Sequence, residues 1–290
     1  MTRRIAGALV LFCCVMGCAH LSFSQFSSFD QAMVLFRQKQ WKDADTAFAE
    51  AEKVQPGKTD ALLFRGKCLV NLGQFVEAET TLRAYISGHP RSEDAAYLLA
   101  DTYFRENKPK QSLEQFTAAA KLKTPTAEDL KIVSLDYVLL NDYRDAGNYL
   151  EEALKMDPAN TEVRYHLGRV RYQQNQFDQA IAAFKEVLKS DPGNMKAQDN
   201  LGLSLEAENQ LDPAIAEYRK AIASDEAATI HSEQPYLNLG ALLNKANKSD
   251  EASVLLGKAK EIDPKSSKIR YELGKAYFDL NRFEDARREV

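Results

Sequence analysis

Pro56-Gly57-Lys58-Thr59 ends like a loop that cradles phosphate between backbone N–H groups and a lysine. That chemistry also needs a glycine where Glu52 stands, and a strand rather than a helix in front, so the match fails. Metal ligation would need clustered donors, but His89, His166 and His231 are isolated and lack ligand spacing. His166 falls among core positions of a helix and reads as a structural histidine. Nucleophilic chemistry would need an activated thiol, yet Cys68 sits among Leu62, Leu63 and Leu69 and reads as a buried, inert one. The carboxylates are spread along helix faces, where solubility and ion pairing account for them. Asn247-Lys248-Ser249 is a glycosylation sequon only in a eukaryotic host. No catalytic residue, cofactor or metal is expected, and what remains is noncovalent recognition.

The totals agree. The chain has 290 residues, 44% hydrophobic and 28% charged, with a formal charge of −4. Such a mildly acidic chain lacks the positive field that phosphate backbones demand, so a nucleic-acid partner is not expected. No small-molecule substrate is inferred either.

The N-terminus, MTRRIAGALVLFCCVMGCAHLSFSQ, sets two arginines before an apolar run from Ile5 to Ala19, which matches a secretory signal over 1–24. The run is short for a membrane-spanning helix, which needs about 20 apolar residues. Val15-Met16-Gly17-Cys18 resembles a bacterial lipobox, which would place a lipid on Cys18, although Met16 departs from the residues usual there. Ser22-Phe23-Ser24 offers ordinary cleavage after Ser24 instead, and an uncleaved anchor is the third outcome. Export to the periplasm or an outer-membrane anchorage is expected. With Cys13, Cys14 and Cys18 in the signal, Cys68 is alone in the mature chain and no intramolecular disulfide is available.

Elements that could position a binding surface come from self-similarity. One column of small residues runs Ala44, Ala78, Ser112, Ala146, Ala180, Ala214, Ala252 and Ala286, at intervals of 34 apart from a single 38. A second runs Ala32, Gly66, Ala100, Ser134, Gly168, Gly202, Gly240 and Gly274, and a bulky third runs Phe48, Leu82, Phe116, Leu150, Phe184, Tyr218, Leu256 and Val290. Prolines close most units at Pro56, Pro90, Pro158, Pro192 and Pro264, with Pro125 one place late and Glu226 in place of another. Leu167, Gly168 and Arg171 share one helix face and Ala180, Phe184 and Val187 a second, with a turn at Asn175-Gln176. Each unit therefore reads as two antiparallel helices meeting at small residues.

These columns resemble the tetratricopeptide repeat, from Gln25 to Val290. Gln31 and Arg65 stand where a leucine is usual, and Arg171 where an aromatic or aliphatic is. The resemblance implies an all-α fold: a right-handed α-solenoid of stacked antiparallel helix pairs, with seven full repeats and a partial eighth. The expected layout is repeats 1–6 over 25–228, a four-residue insertion at 229–232, and repeat 7 with a partial repeat 8 over 233–290. It implies a non-catalytic scaffold that holds a partner peptide or protein in a concave groove lined by first helices. The rival reading, an adaptor module of a longer enzyme or secretion component, rests on the last unit stopping at Val290, inside its second helix.

Helical geometry gives that groove a second stripe, since Tyr165, Arg169 and Tyr172 project away from the core stripe of their helix. Equivalent places hold Tyr97, Asp101, Phe104 and Arg105, then Leu135, Val138 and Leu139, and last Tyr271, Lys275 and Phe278. Aromatics beside arginine favour interfaces. Gripping acidic chaperone tails takes a lysine and an asparagine four apart on a first helix. Lys131 comes closest, but Leu135 follows it.

Overall fold

The computed structural model describes residues 28–57 and 60–289. The signal segment 1–24 with Cys18, the Lys58-Thr59 half of the phosphate-loop imitation, and Val290 lie outside the described residues. Sixteen helices and no strand occur among the described residues, in two compact units that divide between Pro125 and Thr126.

The first unit contains α1 (Ser28–Arg37), α2 (Trp41–Val54), α3 (Ala61–Asn71), α4 (Phe75–Gly88), α5 (Glu93–Arg105) and α6 (Pro109–Ala120). The second contains α7 (Ala127–Leu139), α8 (Tyr143–Met156), α9 (Thr161–Gln173), α10 (Phe177–Ser190), α11 (Met195–Ala207), α12 (Leu211–Glu226), α13 (Gln234–Lys245), α14 (Ser249–Ile262), α15 (Ser267–Asp279) and α16 (Phe283–Glu289). Odd and even helices pack as pairs, and within each unit the second helix of one pair packs on the first helix of the next.

The connections follow from local chemistry. Every first helix ends on one residue in the left-handed region, at Lys39, Gly73, Asn107, Asn141, Asn175, Asn209, Asn247 and Asn281, with φ between 56° and 73°. Asparagine and glycine tolerate that region best, and the bonds Gln176 N–H to Arg171 O and Asn175 N–H to Tyr172 O close a Schellman turn. The second helices α2, α4, α8, α10 and α14 stop on a residue with extended φ just before a proline, whose ring forbids the helical conformation there. The next helix then starts on a side-chain cap, such as Asn160 accepting from Val163 N–H or Asn194 from Ala197 N–H, both at 3.0 Å.

Glu226 replaces one of those prolines, and α12 duly runs on to 16 residues where α10 has 14. The remaining extra length lies in the connection to α13. There the fully buried Asp225 accepts from Ser232 N–H at 2.7 Å, and His231 Nδ1 lies 3.2 Å from its Oδ2.

Within a pair, the glycine of the first helix is filled by the bulky residue of the second. A Cβ on Gly202 would lie 2.6 Å from Tyr218 Cε1, and one on Gly168 would lie 2.8 Å from Phe184 Cε1. Both rings are fully buried, and the Tyr218 hydroxyl donates to Glu206 Oε2 at 3.0 Å. A Cβ on Gly257, inside α14, would meet nothing within 4 Å beyond its chain neighbours and its own helix backbone. Urea denaturation will therefore separate the two kinds of glycine. Gly202→Leu should cost about 1–3 kcal/mol by overpacking, whereas Gly257→Ala should gain about 0.5–1 kcal/mol by helix propensity alone.

Candidate functional site

In the second unit the first helices are tied to one another by a run of polar contacts at equivalent places. Lys131 of α7 pairs with Glu162 of α9 at 3.0 Å and with Glu128 of its own helix at 2.7 Å. Thirty-four residues on, Tyr165 Oη of α9 accepts from Asn200 Nδ2 of α11 at 3.3 Å. Thirty-four further, both carboxylate oxygens of Asp199 of α11 accept from Asn238 Nδ2 of α13, at 2.9 and 3.0 Å. Gln234 steadies that amide by donating to Asn238 Oδ1 at 3.0 Å.

Burial perturbs these groups in different senses. It would push the Lys131 ammonium down, but the bonds from Glu128 and Glu162 outweigh it and hold the group above the ordinary lysine range. His166, half-buried and beside Arg169, is pushed down to about 4, chiefly by desolvation, and stays neutral at pH 7. Asp199 is pushed up to about 6, chiefly by burial, with the Asn238 bonds opposing.

Two hollows open between these helices. One of about 340 Å³ is lined by Thr161, Glu162, Tyr165, His166 and Arg169 of α9, with Val187, Asn194 and Lys196. The other, of about 150 Å³, is lined by Leu135 and Val138 of α7, with Tyr143, His166, Arg169, Val170 and Gln173. His166 and Arg169 form the wall they share. The Arg169 guanidinium lies 6.0 Å from the centre of the Tyr165 ring, which also neighbours the His166 ring at 5.5 Å and Phe184 at 5.8 Å.

The expected groove residues thus fall into separate groups. Tyr165 and Arg169 come together at the hollows, while Tyr172 turns away to pack its ring on Phe177 at 5.4 Å. In the first unit, the Tyr97 hydroxyl donates to Lys123 O at 2.6 Å and its ring meets Phe116 edge-on. Arg105 donates to both oxygens of Asp101 within α5, so that charge pair is internally neutralised. Phe104 beside it is half-buried. Tyr271 and Phe278 of α15 are 67% and 62% exposed, Lys275 between them is exposed, and Phe278 meets Phe283 edge-on. A larger hollow of about 590 Å³ in the first unit lies between α4 and α6 instead, where Arg83 already contacts Glu79.

Glu162, Lys196, Asn194 and the contribution of His166 were not among the expected groove residues. Glu162 and Lys196 stand at the same place in successive units, 34 apart and one turn before the stripe that starts at Tyr165, and that register is the signal in the sequence. Cys68 is fully buried and its thiol is pushed up to about 12 by burial, as an inert side chain should be.

Models of the tetratricopeptide repeat match residues 29–96 and 69–127, 137–202 and 243–290, and 196–227. The chain belongs to the tetratricopeptide repeat family, whose stacked pairs form protein-interaction modules. None of the curated proteins matches it in sequence. Among solved structures it is similar to the C-terminal part of a TPR repeat-containing protein from Cytophaga hutchinsonii, with TM-score 0.67 and 16% identity over 84% of this chain and 99% of that one. It is similar to PilF of Pseudomonas aeruginosa, with TM-score 0.60 and 22% identity over 73% and 94%. It is also similar to YrrB, described as a TPR protein with an unusual peptide-binding site, with TM-score 0.54 and 19% identity over 62% and 93%.

The Asp199 carboxyl gives a check on this geometry. Its folded value lies above the unfolded one near 3.8, so the folded state holds the proton more tightly. The stabilisation is therefore full below about pH 4 and lost as pH rises through about 6, a change on the order of 2–3 kcal/mol. Asp199→Asn should flatten the stability-versus-pH curve between those limits, relative to the unmodified chain, in urea titrations at a series of pH values.

Proposed function

We propose that the chain is a non-catalytic adaptor that holds a segment of a partner protein against the first helices of its second unit, at the Tyr165–Arg169 hollows. The observation that carries this reading is the meeting of two hollows at one shared wall, His166 and Arg169. Pockets of this size offer places for side chains of an extended segment, and the aromatic–arginine pair supplies contact area. The peptide-binding description of YrrB is in keeping with it.

Peptides selected from a random display library on the intact chain provide the test. Tyr165→Ala should reduce their affinity about tenfold or more while far-ultraviolet circular dichroism stays unchanged. Equal binding by the variant would remove the groove from consideration.

The N-terminal sequence supports placing this adaptor in a bacterial cell envelope, either lipid-anchored through Cys18 or exported with cleavage after Ser24. Intact mass spectrometry of the protein expressed with its own N-terminus should find a diacylated Cys18 or a chain starting at Gln25. An unprocessed Met1 terminus on a cytoplasmic protein would rule export out.

A further inference from the structure

Several cations on the first helices are matched by an acid. Lys67 lies 3.8 Å from Asp94, Arg105 bonds Asp101, Lys131 bonds Glu128 and Glu162, and Lys245 bonds Glu206. Arg169 and Lys196, like Arg164, Lys268 and Lys275, form no ion pair among the described residues, and Arg169 and Lys196 line the same hollow. The acid of that lining, Glu162, is already taken by Lys131. In a chain of formal charge −4, two unmatched cations facing one cavity make a local field opposite in sign to the whole. Tyr165 adds a donor, because its hydroxyl accepts from Asn200 and so presents its own hydrogen. Across the His166–Arg169 wall the second hollow is lined by Leu135, Val138 and Val170, and its 150 Å³ is of the order that accepts a benzene-sized group.

We infer that the ligand of this face is an acidic segment of a partner protein, whose carboxylate lies between Arg169 and Lys196 while a nearby apolar side chain fills the hollow beside Leu135. The inference rests on the peptide-binding reading above and specifies its chemistry. Guanidinium and ammonium groups at a partly enclosed site hold a carboxylate by charge-assisted hydrogen bonds, which are stronger than neutral ones. In an extended segment alternate side chains share a face, so apolar and acidic residues one or two apart can enter adjoining hollows.

Fluorescence anisotropy of the full chain with short labelled peptides on a Gly-Ser frame tests it. The peptides carry Leu with Asp, Leu with Asn, or Leu with Lys, at neighbouring and alternate positions. The Asp peptides should bind about tenfold or more tighter than the Asn ones, the Lys peptides more weakly still, and added salt should narrow the gap. Arg169→Gln with Lys196→Gln should abolish the Asp-over-Asn preference. Leu135→Ala should weaken Asp and Asn peptides alike and leave their ratio intact. Peptides that bind without regard to charge, yet lose affinity on Tyr165→Ala, would overturn this inference and leave the groove reading standing. Failure of every peptide to bind would overturn both. Binding of phosphatidylglycerol vesicles, or self-association of the chain, that the Arg169→Gln and Lys196→Gln pair removes would assign the cations to a membrane or a second copy and likewise overturn it.

Discussion

The contact on which the rest of the structure depends is a steric one, a bulky side chain of the second helix filling the space that a small residue leaves on the first. Leu82 enters at Gly66, Phe184 at Gly168, Tyr218 at Gly202 and Leu256 at Gly240, each so close that a Cβ could not be added without displacement. Glycine inside a helix has an intrinsic cost of about 1 kcal/mol, and the fully buried ring or branched side chain that it admits offsets this by its own transfer from water. Because the approach is the same from pair to pair, successive first helices in a unit come alongside each other in register.

That register explains why polar residues recur at the same place in α7, α9 and α11. Lys131, Tyr165 and Asp199 each meet a partner from the following first helix, one as an ion pair, one through a hydroxyl and one through a carboxylate–amide contact. The position is shielded enough that an unmatched polar group would be costly, so its chemical identity can vary only if the partner varies with it. A surface built this way diversifies through compensated exchanges. Arg169 and Lys196 lie outside that shielded position, both exposed and on the lining of one hollow, so their charge needs no partner within the chain.

The architecture was legible because the pattern that specifies it lies within single helices. Small, bulky and proline columns at fixed spacing predict helix pairs, and the pairs are found, down to the longer α12 where Glu226 stands in place of a proline. The site was legible only in part. Tyr165 and Arg169 share one helix face and were picked out together, but Tyr172 on that face packs against Phe177, a neighbour in the next helix. Lys196 and Asn194 belong to the next repeat, and a face drawn around one helix axis does not include what the adjacent helix brings to it. Likewise, nothing in the spacing of His231 reveals that it closes on Asp225 over an irregular connection.

The two kinds of connection differ in what they let the chain become. The turn inside each pair is a fixed Schellman closure, with one left-handed residue and two specific backbone bonds. A residue gained or lost there would rotate the second helix by about 100° and carry its Phe184-type column off the facing glycine. The connection between pairs has no such geometry to keep, and the 38-residue repeat shows the outcome: extra residues are shared between a longer α12 and a loop clasped by Asp225, and α13 and α14 still meet at Gly240 and Leu256. Changes in length during the history of this array are thus confined to the joints between repeats, or to whole repeats, and the hairpin inside each repeat is the indivisible unit of inheritance.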